Sequence, residues 1–174
     1  MATSAPSYTA SATITIAPEN VPTSSTRTAG VESTVVSNIS NLYTDVLVSG
    51  KWTAGTSPTA NKQVDVWVYA PESDDLSSTV VYPDPAGTID GTSSAETITS
   101  ENVRNAAMKL AFSIVIDSTN NRGYSVAPFS VAALFGGVMP SRWGLFISHD
   151  TAVNSNSTAG NHVWSYIGVK YTVA

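Results

Sequence analysis

The stretch Val64-Asp65-Val66-Trp67-Val68-Tyr69 decides the fold. Successive side chains of an extended chain point to opposite sides, so the three valines share one face while Asp65, Trp67 and Tyr69 share the other. Strict alternation of β-branched and aromatic residues predicts a strand. The same period of two recurs on both sides of it, at residues 34–37, 42–49, 110–117, 129–134, 143–148 and 163–173, and more briefly at 79–82; the central run itself extends over 64–70. Between these runs lie Gly50, Ala54-Gly55-Thr56-Ser57-Pro58, Pro83-Asp84-Pro85, Asn120-Asn121-Arg122-Gly123 and the Asn-rich 154–161 segment, all of turn chemistry.

One segment breaks the pattern. Residues 100–108 predict a short helix, with Ser100 placed to cap the backbone and Glu101 in the first turn, favourable to the helix dipole. No fixed-period repeat is present, which disfavours a propeller or solenoid. Seven or more strands with at most one helix predict an all-β antiparallel sandwich of jelly-roll type, two sheets packed face to face. The division expected is an N-terminal arm over 1–29 and a sandwich domain over 30–174. The arm is rich in Ser, Thr, Ala and Pro, carries one alternating run, Ala12-Thr13-Ile14-Thr15-Ile16, and contains Pro18 and Pro22, which disfavour helix. Such an arm either stays mobile or gains order on a partner.

Composition bounds the function. The 174 residues suffice for one core without metal or disulfide, and the absence of Cys excludes thiolate sites and a cysteine nucleophile. Only 12% of residues are charged, while Ser and Thr number 25 and 21, a polarity that suits an extracellular or virion surface better than a cytosolic enzyme. The net charge of −5 and the lack of a Lys/Arg cluster make nucleic acid an unexpected partner. No run approaches the roughly 18 apolar residues of a membrane span, and residues 1–11 lack the basic start and apolar centre of a signal peptide.

The second faces of the strands carry apolar bulk that needs a cover. Beside Trp67 and Tyr69, the C-terminal run sets Val163, Ser165, Ile167, Val169 and Tyr171 on one face and Trp164, Tyr166 and Lys170 on the other. Sandwich exteriors are normally polar. Three covers are open: the chain's own loops or arm, a protein interface anchored by Trp and Tyr, or a sugar stacked on the rings.

Catalytic constellations are weak. Ser148-His149-Asp150 offers hydroxyl, imidazole and carboxylate, but adjacent residues on an extended chain diverge, and a turn hydrogen bond is the expected role of His149. His162 beside Asn161 reads the same way. Asp74-Asp75, Asp84 and Asp90 could serve a glycosidase only if two lay about 5 to 9.5 Å apart across a cleft, and calcium at residues 83–90 lacks the twelve-residue loop pattern. No phosphate loop, zinc motif or nucleophile elbow is present. Gly136-Gly137 is expected to kink the chain where backbones approach closely, and Asn38-Ile39-Ser40 and Asn156-Ser157-Thr158 fit the glycosylation pattern. No catalytic residue, cofactor or metal is expected.

From about Gly30 to the C-terminus the chain resembles small virion-associated proteins of tailed bacteriophages. The resemblance is carried by residues 41–51, by 55–62 leading into Val64-Asp65-Val66-Trp67-Val68-Tyr69, by 90–97, by 129–137 followed by Met139-Pro140-Ser141-Arg142-Trp143-Gly144, and by 160–174. It implies a non-enzymatic structural part of the particle, a capsid decoration or cement protein whose partners are the major capsid protein and copies of itself, with a trimer as one arrangement. The alternative is a head-fibre or tail-associated carbohydrate- or receptor-binding module. The contacts expected are made by the arm, with Ile14 and Ile16, and by Trp67, Tyr69, Trp164 and Tyr166.

Overall fold

A computed structural model describes residues 4–72 and 89–173 of the chain. Its strands are β1 (Ser4–Tyr8), β2 (Ala12–Thr13), β3 (Ala29–Glu32), β4 (Val36–Ser37), β5 (Asp45–Thr53), β6 (Gln63–Tyr69), β7 (Ala95–Thr97), β8 (Lys109–Val115), β9 (Gly123–Ser130), β10 (Arg142–His149) and β11 (Val163–Val173). Two helices, α1 (Glu101–Ala107) and α2 (Val131–Leu134), interrupt them. The expected strand at 79–82 and the carboxylates Asp74, Asp75 and Asp84 lie outside the described residues.

All pairings among the described residues are antiparallel. One sheet has the order β1-β11-β5-β9, with β2 also on β11, and the other the order β7-β3-β10-β6-β8, with β4 also on β10. If β1 and β2 count as one interrupted edge strand, the principal strands cross between sheets so that the first, eighth, third and sixth line one sheet. The second, seventh, fourth and fifth line the other. That interleaving is the double Greek key of a jelly roll.

The N-terminal residues are therefore part of the sandwich. Ser4 to Tyr8 pair with Val173 to Val169 of β11, and Ala12 and Thr13 continue along the same strand opposite Tyr166 and Ser165. Ile14 and Val21 enter the core, and Ser155 donates from its hydroxyl to the carbonyl of Pro18. A Ser/Thr-rich composition looked like an arm because an edge strand needs few apolar residues of its own when it borrows backbone hydrogen bonds from a neighbour.

The valines of β6 point inward as expected. Val64, Val66 and Val68 meet Val46, Val48, Trp52 and Trp164 across the interior, with Trp143, Leu145 and Ile147 of β10 beside them. Trp143 meets the half-buried Tyr166 edge-on at 5.4 Å. The run at 129–134 departs from expectation: strand pairing stops at Ser130, whose hydroxyl accepts from the Ala133 amide and caps α2. Gly136 and Gly137 then reverse the chain at φ of 73° and 87°. No atom lies within 4 Å of a Cβ built on either glycine, so positive φ rather than close approach requires them.

Each of the four sheet edges is blunted. In β1, Thr9 donates its amide to Gly168, so alternation turns the position of Pro6, which has no N–H, away from β11. In β9, Ala127 and Pro128 together face the single Ser49, a bulge. β8 bulges at Ala111, and β7 is three residues long.

Candidate functional site

The outer face of β6 and β10 is sealed by the chain itself. Trp67, Tyr69 and Phe146 form a second apolar cluster with Ile89, Ile98, Ala107 and Met108, drawn from the segment that carries α1. Ser100 caps this helix by accepting from the Val103 amide, as its sequence predicts. Arg104, 3% exposed, stacks its guanidinium 4.4 Å from the Trp67 ring centre and donates to the carbonyls of Thr26 and Arg27. Gly144 makes room on β10: a Cβ there would stand 2.4 Å from the Tyr69 ring.

The six residues expected to form an interface are consequently not free. Trp67 is 6% exposed and Tyr69 wholly buried, Trp164 and Ile14 belong to the inter-sheet core, and Tyr166 and Ile16 are half-buried against it. The outward orientation expected for the aromatic rings is corrected on two grounds. On β6 the face was rightly read, and the cover is the chain's own helix and flanking loops. On β11 alternation correctly sorts the residues into two sets, but it cannot say which set faces in. Trp164 and Tyr166 turn into the sandwich, leaving Val163, Ile167, Val169 and Tyr171 outside.

Beneath the cap sits a polar latch that sequence reading missed. Glu32, fully buried at the end of β3, accepts from the Tyr69 hydroxyl and from the amides of Asp90 and Gly91. Burial pushes its carboxyl up to about 8, reinforced by a hydrogen bond shared with the Asp90 side chain, so Glu32 is protonated at neutral pH. Carboxylate oxygens of Glu32, Asp90 and Glu96 lie within 4.8 Å of one another and could contribute to a hard-cation site. Three carboxylates fall short of the six to eight oxygens that calcium takes. The amides of Asp90 and Gly91, donating to Glu32, instead tie residues 90–91 to β3, and the Tyr69 hydroxyl links the same carboxyl to β6.

A second network closes the other end of the same face. Asp65, 4% exposed, receives the Arg27 Nε at 2.7 Å and the Ser113 hydroxyl at 2.7 Å, and Arg27 also reaches Asp150 at 3.2 Å. This ion pair fastens residues 24–29 across β6 and the end of β10.

Both histidines are interior hydrogen-bonding groups. His149, fully buried, faces the Val21 carbonyl with Nε2 and the Thr151 hydroxyl with Nδ1, and its ring lies 5.3 Å from Trp52. Burial lowers its pKa to about 4. His162 accepts the Thr53 amide at Nδ1, which leaves Nε2–H to donate to the Asn156 carbonyl. No hydrogen bond joins Ser148, His149 and Asp150 to one another: Asp150 serves Gln63, Arg27 and Lys62 instead. Asn38 and Asn156, the candidate glycan acceptors, are each 7% exposed with their amides engaged. A polar hollow of about 270 Å³ at the Asn-rich turn is likewise internally satisfied, its Asn20–Asn154 and Asn121–Asn156 amides paired with one another.

What remains open is the outer face of the β1-β11-β5-β9 sheet. Leu47 stands opposite Ile167, Ser49 opposite Ser165 and Lys51 opposite Val163. Val163 is 50% exposed and Tyr171 62%, with Leu47, Ile167 and Val169 half-covered between them. None of these five belongs to either apolar core cluster.

Compared with protein-family models, curated proteins and solved structures, the chain has no significant match.

Proposed function

We propose that this chain is a non-enzymatic structural protein of a tailed-phage particle, a decoration protein that binds the assembled head and stabilises it. The carrying observation is the asymmetry of the two sheet exteriors: one is capped by the chain's own α1 segment, while the other leaves Val163 exposed and Leu47 and Ile167 only half-covered among small hydroxyl side chains, with Lys51 at its margin. A low-charge apolar band framed by Ser and Thr has the composition of an interface core. The resemblance of residues 30–174 to virion-associated proteins supports the same reading. Jelly rolls occur in viral shells but also in lectins and cupins, so the architecture adds weight only by analogy.

Binding through this face fits the blunted edges. Copies on a shell meet face to surface, because no edge among the described residues offers a long regular strand for addition. Many equivalent sites on one head would let modest single contacts hold the protein through avidity wherever neighbouring copies are linked. The test is co-sedimentation of the purified protein with heads of the phage that encodes it. Ile167→Asp should lower occupancy at least tenfold while the protein stays folded, whereas Lys109→Ala on the distant β8 edge should bind as wild type. Equal occupancy by Ile167→Asp would remove this face from the function.

A further inference from the structure

We infer that a crevice at the C-terminal end of the open sheet face is a carbohydrate-binding site. It is an open hollow of about 450 Å³ between the start of β5, the end of β11 and α2, with Thr44, Asp45, Ser130, Ala132, Ala133 and Tyr171 among its walls. The site adjoins the Leu47–Ile167 band, with Val169 and Tyr171 of the same face in its lining, but its assignment does not depend on the band.

Three features select a sugar. The first is a free aromatic ring: Tyr171 is 62% exposed at the rim, and Tyr8, 63% exposed, stands opposite Val169 as its diagonal neighbour on the same face. Flat rings of this kind stack against the C–H face of a pyranose. The second is an unused carboxylate oxygen. Asp45 spends Oδ1 on the amides of Val46 and Ala132, while Oδ2 has no partner among the described residues. The third is the mixture of donors and acceptors. Thr44 donates its hydroxyl proton to the Val169 carbonyl, which leaves its oxygen to accept, and Ser130 accepts from the Ala133 amide, which leaves its proton to donate.

That mixture separates ligand classes. A cation would need acceptors only, and an anion would be repelled by Asp45. A sugar hydroxyl both gives and takes a hydrogen bond, so a pair of neighbouring hydroxyls can engage Asp45 Oδ2 and Ser130 together. Ala132 and Ala133 supply a small apolar wall for the sugar's C–H edge.

The experiment is amide chemical-shift mapping of the full chain against methyl glycosides of glucose, galactose, mannose and N-acetylglucosamine, with N-acetylarginine amide as the cationic probe. At least one glycoside should shift the amides of residues 44–45 and 131–133, saturating with a Kd of about 1 mM, the weak end of specific recognition. Tyr171→Ala should weaken it at least tenfold. Asp45→Asn, which keeps a carbonyl oxygen for the Val46 and Ala132 amides, should weaken it at least threefold without changing the rest of the spectrum. No shift at ten times that concentration, shifts confined to another surface, or a stronger response to N-acetylarginine amide than to every glycoside would each overturn the assignment.

Discussion

Glu32 and His149 are both sealed inside the protein, and each favours its neutral form for the same reason, the cost of burying charge. Their effects on stability run in opposite directions. Glu32 has a folded pKa of about 8, above its ordinary 4.5, so its contribution is complete below pH 4.5 and is lost as pH rises towards 8. His149 has a folded pKa of about 4, below its ordinary 6.5, so its contribution is complete above pH 6.5 and is lost as pH falls towards 4. Urea denaturation should therefore show greatest stability near pH 6.5: below it His162, whose pKa burial also lowers, adds a second rising slope to that of His149, and above it stability declines towards pH 8 as Glu32 ionises. Glu32→Gln keeps a donor for Asp90 but an acceptor for only one of the two amides, since Asp90 donates to Oε1 and Gly91 to Oε2. It should start below wild type near pH 5 and gain roughly 3 kcal/mol on it by pH 9, where the wild-type carboxyl must ionise. A variant that gains nothing between pH 5 and pH 9 would show that Glu32 is held as a carboxylate. Glu32 was not legible as a latch, since nothing in a sequence tells which lone acid will be covered by a loop almost sixty positions away.

At the scale of elements, alternation identified β5, β6, β8, β10 and β11 because a buried face imposes it residue by residue. It overran at 129–134, where Ser130 offers a cap and Val131 to Leu134 turn into a helix instead of continuing the strand. It also passed over β1, β3 and β7, whose residues are small or polar, and most of β9, of which only residues 129–130 fall in an expected strand, and it could not orient β11. The N-terminal strands give the clearest check of the revised picture. Removing residues 1–8 takes away an edge strand whose side chains are largely exposed, and the remaining protein should keep its sheet circular dichroism with a modest loss of stability. Removing residues 1–22 also takes Ile14 and Val21 from the core and should abolish cooperative unfolding. An arm independent of the sandwich would tolerate both deletions equally. The α1 cap has its own test. Trp67→Ala should cost about 3–5 kcal/mol, as an interior aromatic does, rather than the few tenths expected of an exposed one.

The whole molecule is a jelly roll with one exterior finished and the other left open. Its first and last described strands, β1 and β11, lie side by side, and the open face is built largely from the last, which carries Val163, Ile167 and Tyr171, with Leu47 beside them on β5. The fold class was readable because strands alternating with turn residues, without a repeat and with one helix, leave few other arrangements. The candidate surface was not, because it depends on which exterior the chain covers for itself. The expected interface residues were sought on the most aromatic faces, and these are the faces a protein most readily buries. The open band was legible only as the plainer half of the 163–171 alternation.

The most direct test of the proposed decoration role is the number of copies of this chain in purified particles of a phage whose genome is found to carry its coding sequence, measured by quantitative mass spectrometry against the major shell protein. A head-decorating protein is expected in hundreds of copies, in fixed ratio to the shell subunit, and in empty heads as well as complete particles. A handful of copies, or none, would contradict it.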